Sequence, residues 1–343
     1  MRDVAPVTVG TGDLQYEWID DWARLPKKNG TAAAAWPHHG IAVLPSGEIA
    51  TSHPSEPTLL LFEADGSLRR SVDAEIHDAH GITTVREGDA AYLWIADAAM
   101  KQTAASGYEP PATSEGSAVV KLALSGRILT RLPKPELAVY QQGEYRPTCV
   151  AVNEARIGGN GDIWVADGYG ESYVHRFDAG GRYVRSLSGE EGAGRFKGPH
   201  AVFIDRRRGT PELYIADRNN ARIQVYDLEG RFQRVVGADV LSRPTWLAAY
   251  GDRLLVLEFR PPRLTVLDAA DRLVGYLAED AEAPSREGWP NELNAAGVSQ
   301  RVSSLQPGKL NSPHSLAVDR EGNIYITEWL IGGRLIKLKK LSG

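Results

Sequence analysis

The chain has 343 residues, of which 42% are hydrophobic and 24% charged, and these proportions exclude the disordered class. Its net charge of -5, without a long block of Lys or Arg, argues against nucleic acid or an anionic membrane as a partner. No segment approaches the roughly 18 apolar residues of a membrane span. The single cysteine, Cys149, allows no disulfide within the chain. We therefore expect a cytoplasmic protein that acts on a small-molecule substrate and has no nucleic acid, membrane or protein partner.

Six copies of one pattern fill the chain from about residue 36 onwards. Each copy has an apolar run, a turn with Gly or Asp, a second run such as IWVAD or LYIAD, and a third such as RIQVYD. Short alternating runs separated by turns at this spacing indicate antiparallel β-meanders. The copies begin at Trp36, Asp78, Arg146, Gly198, Arg243 and Ser312.

Glycine turns, such as Asp65-Gly66 and Glu229-Gly230, predict a fourth strand in the copies. Four strands per copy make a propeller blade, so residues 1–343 are predicted to form a single all-β domain, a six-bladed β-propeller. The sixth copy stops after its third run, while the alternating segment Leu14–Ile19 precedes the first copy. Pairing this N-terminal strand into the sixth blade would close the ring and hide two sheet edges.

Two insertions, at about residues 100–117 and 279–310, are longer than hairpin turns and rich in Pro, Gly and Ser. Loops of this length in a compact domain are either lids over a site or disordered decoration. We predict that both lie at the mouth of the ring.

Histidines recur at the start of the innermost strand, at His80, His200 and His314 in copies two, four and six. In a closed ring these alternate blades stand about 120° apart and face a common axis. Three imidazoles with an open fourth position form the ligand set of a catalytic zinc. The alternative is that each histidine merely begins a strand after a turn. The spacing predicts a zinc site, with another divalent transition metal as the alternative.

Other residues at the same two positions of the repeat are candidates for binding substrate. His39 occupies the histidine position of copy one and is assigned to the cavity, whereas His38, His77 and His175 are expected at the surface. The end of the second strand differs between the copies, which suggests chemistry there. The residues at this position include His53, Tyr169, Arg218, Glu258 and Glu328. Of these we assign Glu258 and Glu328, with His39, to substrate binding.

The stretch RPTCVAVN…GDIWVADGYG and the following GPHAVFID…LYIADRNNARIQVYD resemble the peptidylglycine (peptidyl-α-hydroxyglycine) α-amidating lyase family, a branch of the NHL-type six-bladed propellers. The resemblance covers almost the whole chain and is strongest from Tyr145 to Asp227. It implies zinc on the three histidines, Tyr169 of the DGY motif as the base, and Arg218 of the ADR motif as its electrostatic partner. It also implies cleavage of a carbinolamide into an amide and glyoxylate. A phenol needs nearby positive charge to act as a base at neutral pH, and zinc and Arg218 would supply it.

The chain departs from that family at three positions. His53 stands where the family has a catalytic arginine, and we keep it as a catalytic candidate. Ser315 replaces an aspartate that holds a structural calcium, and Gly170 stands at the place of a disulfide cysteine. The missing arginine predicts a small and altered substrate.

Three functions remain open from the sequence. The first is a zinc-dependent lyase that uses Tyr169 as base and the metal as Lewis acid. The second is a metal-dependent hydrolase or eliminase that acts on a sugar or a lactone in the same channel. The third is a non-catalytic NHL scaffold for protein interactions.

Overall fold

The computed structural model describes residues 6–26 and 35–341, so residues 1–5, 27–34 and 342–343 of the predicted domain lie outside it. The described backbone forms six antiparallel sheets of four or five strands and one small hairpin. The helices in these ranges are 3₁₀ segments of three or four residues. Among the same residues no helix has the length and apolar sequence that crossing a bilayer requires. The prediction of an all-β six-bladed propeller is confirmed.

The strands of each blade follow one another in the chain, from the inside of the ring outwards. Blade 1 contains Ile41–Val43, Ile49–Ser52, Thr58–Phe62 and Leu68–Asp73. Blade 2 contains Ala79–Glu87, Ala90–Asp97, Ala118–Ala123 and Ile128–Leu132. Blade 3 contains Cys149–Val152, Ile163–Asp167, Tyr173–Phe177 and Tyr183–Leu187. Blade 4 contains Pro199–Asp205, Glu212–Asp217, Arg222–Asp227 and Phe232–Val236. Blade 5 contains Pro244–Tyr250, Arg253–Phe259, Pro262–Leu267 and Leu273–Leu277.

The remaining elements complete the sixth blade and the loops. Blade 6 contains, from the inside, Pro313–Val318, Ile324–Glu328, Arg334–Lys340, Tyr16–Ile19 and Val7–Val9. The hairpin consists of Glu292–Leu293 and Ser299–Gln300. The 3₁₀ segments are Gly12–Leu14, Ala104–Ser106, Ala138–Gln141, Ala155–Ile157, Arg218–Asn220 and Ala283–Ser285.

The six innermost strands surround a central channel. Each contacts the innermost strands of its two neighbours, and the circle closes between Pro313–Val318 and Ile41–Val43. Equivalent apolar side chains from all six blades line part of this channel, namely Ile41, Ile82, Val150, Val202, Leu247 and Leu316. The repeat therefore places the residue two positions earlier in each copy, the histidine position, at a common level of the ring.

The N-terminal strand closes the ring as predicted. Tyr16–Ile19 pairs antiparallel with Arg334–Lys340, and Tyr16 and Trp18 are 2% and 5% exposed. Val7–Val9 adds a fifth strand outside it, which the sequence pattern did not reveal. The guanidinium of Arg334 donates to both carboxylate oxygens of Asp20 at 2.7 Å, so charge as well as pairing holds the two ends of the chain together.

Two of the three histidines expected at the surface are buried. His77 has a side chain that is 63% exposed, as expected, but His38 and His175 are 4% and 0% exposed. His175 lies on the third strand of blade 3, where blades packed face to face cover both sides of a sheet. Its nitrogens meet the hydroxyls of Tyr140 at 2.8 Å and Ser186 at 2.7 Å.

We predict that Trp18→Ala lowers the free energy of unfolding by about 3–5 kcal/mol, the usual cost of deleting a buried aromatic side chain. Urea denaturation followed by circular dichroism measures the change. Val184→Ala is the control, because Val184 is 48% exposed on an outer strand and its removal should change stability by no more than about 0.5 kcal/mol. Equal effects of the two substitutions would contradict closure by the N-terminal strand.

Burial lowers the pKa of His175 to about 3, which predicts a pH-dependent stability. Between about pH 6.5 and 3 the unfolded chain binds a proton at this position that the folded chain does not, so acid favours unfolding by up to about 1.4 kcal/mol per pH unit. We therefore expect His175→Gln to lose less stability than the parent protein on going from pH 7 to pH 5, by about 1–2 kcal/mol. His77→Gln is the matched control, and parallel stability curves for His175→Gln and the parent would refute the prediction.

Candidate metal centre and cavity

A buried carboxylate ends the second strand of five blades and fixes the start of the innermost strand. These carboxylates belong to Asp97, Asp167, Asp217, Glu258 and Glu328, each at most 2% exposed. Each accepts a backbone N–H from the residues just before the innermost strand of its own blade. We call this contact the carboxylate clamp. It holds the beginning of each innermost strand, which is where the predicted metal ligands lie.

The side chains of His80, His200 and His314 meet on the axis of the ring. One potential ligand atom from each lies within 4.8 Å of those of the other two, and the Nε2 atoms of His314 and His80 are 3.0 Å apart. All three residues are at most 4% exposed. Burial first, and then neighbouring cationic groups, hold the pKa of each imidazole well below its usual range. Three neutral imidazoles therefore converge on one point.

Backbone carbonyls of the next blade orient these rings. The Nδ1 of His80 lies 2.6 Å from the carbonyl oxygen of Thr148, and that of His200 lies 2.8 Å from that of Thr245. Because a carbonyl only accepts, both Nδ1 atoms carry the proton and both Nε2 atoms present a lone pair to the axis. The corresponding carbonyl for His314 is that of His39, but there the alignment is too poor for a hydrogen bond.

This arrangement fits a metal ion better than a proton. Without a cation, His314 either points an Nε2 lone pair at that of His80 or turns an Nδ1 lone pair toward a carbonyl, and each choice leaves a repulsive buried contact. A divalent ion held by the three histidines would remove both repulsive contacts, and the Nδ1–H groups would then donate to the carbonyls, as in metal-bound histidines generally. An all-imidazole set suits zinc and also other transition metals.

Tyr169 and Arg218 flank the histidines. The hydroxyl of Tyr169 is 3.1 Å from Nε2 of His200, and Nη1 of Arg218 is 3.4 Å from that hydroxyl. The guanidinium also lies over the phenol ring, 5.2 Å from its centre. Burial raises the pKa of Tyr169, and the charge and hydrogen bond of Arg218 lower it only in part. The structure thus brings both predicted residues to the histidine cluster, with Tyr169 protonated.

His38 lies beside the cluster and was missed in the sequence. Its ring centre is 5.8 Å from that of His80 and 5.6 Å from that of Tyr169. Its Nδ1 is 3.3 Å from a carboxylate oxygen of Asp78, although the alignment is too poor for a hydrogen bond. The pair His38-His39 is visible in the sequence, but only His39 stands at the histidine position of the repeat.

A cavity of about 350 Å³ opens onto the cluster. The residues that line it include His38, Met100, Gln102, Pro110, Tyr169, His200, Arg218, Arg243, Thr245, Phe259, His314 and Trp329. The insertion at 100–117 therefore contributes to its wall through three side chains. The insertion at 279–310 reaches the cavity wall through Trp289, which packs on the lining residue Phe259 with ring centres 4.9 Å apart.

The structure does not bring the other predicted residues to this cavity. His39 packs against Gly333, where an added Cβ would come within 2.6 Å of the ring, and burial lowers its pKa to about 4. The Nδ1 of His53 accepts the backbone N–H groups of Ser55 and Glu56, and its Nε2 lies 3.0 Å from the carbonyl of Pro26. His53 therefore orders a turn of blade 1.

Glu258 and Glu328, predicted to bind substrate, act instead as carboxylate clamps. Glu258 also accepts from the guanidinium of Arg263 at 2.8 Å, and Glu328 from that of Arg334 at 3.0 Å. Both carboxylates are fully buried and neither lines the cavity. The variation between Asp and Glu at this position of the repeat thus reflects one structural contact made with two side-chain lengths.

The fold and the site together define a class of protein, namely six-bladed propellers with a buried three-histidine cluster. No family model matches the chain. The chain is 27% identical to peptidyl-glycine alpha-amidating monooxygenase A of Xenopus laevis over 92% of its length and 32% of the relative. It is 26% identical to peptidyl-alpha-hydroxyglycine alpha-amidating lyase 1 of Drosophila melanogaster over 73% of its length and 42% of the relative.

A third relative is NHL repeat-containing protein 3 of Homo sapiens, 24% identical over 82% of the chain and 72% of the relative. The chain spans about a third of the length of the frog relative and about two fifths of that of the fly relative. It is therefore a distant homologue of proteins named amidating lyase, amidating monooxygenase and NHL repeat protein, and the resemblance stated from the sequence is confirmed.

Solved structures support the fold. A streptogramin B lyase aligns with a TM-score of 0.58 at 12% identity, covering 96% of this chain and 99% of the other. Virginiamycin B lyase from Staphylococcus aureus aligns with a TM-score of 0.56 at 12% identity, covering 95% of this chain and all of the other. At these identities the likeness concerns the architecture alone.

We predict that His200→Ala abolishes tight metal binding, because two imidazoles remain where three are needed to surround the ion. Elemental analysis of protein purified without added metal should give close to one equivalent of a transition metal for the parent and less than a tenth for the variant. His77→Ala, which alters an exposed histidine, should keep the metal. A parent protein that is folded and free of transition metal would contradict the assignment.

Proposed function

We propose that this protein is a metal-dependent lyase that cleaves the C–N bond of a small α-hydroxy amide, releasing an amide and a glyoxylate-like aldehyde. The metal is zinc, held by His80, His200 and His314. The observation that carries the proposal is the position of the Tyr169 hydroxyl, 3.1 Å from one of three converging Nε2 atoms. The names of the distant relatives from frog and fly support the same reaction class.

The reaction needs one base and the return of one proton. As the phenolate, Tyr169 removes the proton from the substrate hydroxyl, whose oxygen then forms the C=O bond as the C–N electrons leave with the amide nitrogen. The same proton, now on the phenol oxygen, is delivered to that nitrogen. Atoms and charge balance without a further reactant, and the two products separate.

Tyr169 can act as a base only when positive charge opposes the effect of its burial. Its pKa is raised in the structure because desolvation outweighs Arg218. A divalent ion held by the three histidines would supply the missing positive charge and Lewis-acid chemistry. If His200 served as a metal ligand, its Nε2 would no longer accept from Tyr169, and the phenol oxygen would be free to meet the substrate.

The residues that line the cavity help to distinguish the lyase from a hydrolase and from a scaffold. Among its described lining residues there is no Asp or Glu, whereas glycoside hydrolysis usually relies on a pair of carboxylic acids. This favours the lyase over a hydrolase that acts on a sugar. A scaffold for protein interactions has no need of three buried imidazoles, nor of the close contact between His80 and His314, which costs free energy without a ligand.

We predict that Tyr169→Phe lowers kcat for an α-hydroxy-N-acylglycine by about 10²–10⁴-fold, the usual contribution of a general base, and leaves the metal content unchanged. Glyoxylate release measures the first quantity and elemental analysis the second. Tyr183→Phe is the control, since Tyr183 is 38% exposed on an outer strand.

An active Tyr169→Phe variant would remove the base from the mechanism. A parent protein that releases no glyoxylate, yet opens a lactone or cleaves a glycoside, would replace the lyase by the hydrolase or eliminase.

A further inference from the structure

Two arginines face the cavity without a carboxylate partner. Arg243 is exposed at its rim, and Arg218 lies at its wall. No carboxylate oxygen of the described residues lies within salt-bridge distance of either guanidinium. Arg222 in blade 4, Arg263 in blade 5 and Arg334 in blade 6, in contrast, are each paired with a buried carboxylate at 2.8–3.0 Å. The cavity therefore carries two guanidinium charges that no carboxylate of residues 6–26 and 35–341 pairs with.

The two arginines differ in what holds them. Arg218 is committed to Tyr169, since it donates to the phenol oxygen and stacks on the ring. Arg243 has its backbone N–H held by the carboxylate clamp of Glu258 at 3.2 Å, while its guanidinium has no hydrogen-bond partner among the described residues. A planar guanidinium on an anchored backbone is suited to bind a carboxylate through two parallel hydrogen bonds.

Aromatic side chains form another part of the cavity wall. Trp329 and Phe259 both line it, with ring centres 5.7 Å apart. Trp36 supports Trp329 from behind at 4.5 Å, and Trp289 supports Phe259 at 4.9 Å. Rings packed in this way keep their positions, so they present a fixed apolar surface to a flat group of the substrate.

We propose that the cavity selects a substrate with a carboxylate at one end and a flat aromatic acyl group at the other, in which Arg243 binds the carboxylate and Trp329 with Phe259 bind the aromatic group. The inference rests on the proposed function, since it assigns the two ends of the same α-hydroxy amide. A volume of about 350 Å³, near the lower limit of pockets for small ligands, accommodates one such acyl group rather than a peptide chain.

Binding without turnover tests the inference independently of the reaction. The probe is N-benzoylglycine, which has the carboxylate and the aromatic ring but lacks the hydroxyl that the reaction needs. Calorimetry on the metal-loaded protein should show binding that Arg243→Gln weakens about 10- to 100-fold, the usual effect of losing a charged hydrogen bond. Arg272→Gln, in an exposed turn of the same blade, should leave it unchanged. Unaltered binding by Arg243→Gln would overturn the role of Arg243.

Turnover then separates the two ends of the substrate. Benzamide release is followed for N-benzoyl-α-hydroxyglycine and for its uncharged glycinamide analogue. Arg243→Gln should lower kcat/KM about 10- to 100-fold for the acid and leave kcat/KM for the neutral analogue unchanged. A misfolded variant would instead lose activity on both substrates. Trp329→Leu should reduce the preference for the benzoyl over the acetyl substrate about tenfold, and an unchanged preference would overturn the aromatic subsite. Selective binding of the probe without any turnover would overturn the proposed reaction and leave the substrate class standing.

Discussion

The carboxylate clamp is the contact on which the geometry of the site depends. An isolated buried carboxylate is costly, and two or more N–H donors compensate for its lost hydration. Asp167 shows how close this balance is, because burial raises its pKa to about 6 although Tyr140, Arg146 and Glu171 all donate to it. Since each clamp accepts a hydrogen bond from the backbone just before an innermost strand, it sets where that strand begins. The strand in turn sets how far its first side chain reaches toward the axis.

Blade 1 lacks the clamp, and its histidines differ accordingly. Ser52 and His53 stand where the other blades have the acid, and the backbone N–H of His38 turns to Asp78 of blade 2 at 3.2 Å. This contact across the blade boundary moves His38 to the cavity, while His39 fills the space left by Gly333. Because blade 1 lacks this carboxylate, His38 lies beside the three-fold set of histidines on one side only. This distinguishes one side of the cavity from the others.

The repeat carried most of the information about the fold and about the histidine cluster. A ring of like units turns sequence register into spatial position, so the recurrence of histidine in alternate copies was enough to bring His80, His200 and His314 together. Residues that break the repeat were harder to place. Arg243 begins a copy and has no sequence feature that marks its guanidinium as unpaired, because that depends on which carboxylates other blades supply. The burial of His175 likewise follows from blade stacking, which a single strand pattern does not record.

Closure of the ring by Tyr16–Ile19 links the order of synthesis to the assembly of the centre. His314 belongs to the blade that this segment completes, so a growing polypeptide holds two of the three imidazoles long before it can present the third. The sixth blade is complete only after the strand Arg334–Lys340 has been made and has paired with Tyr16–Ile19. A chain that has not yet reached the sixth blade therefore lacks the third imidazole, and the histidine cluster forms only when the ring is complete.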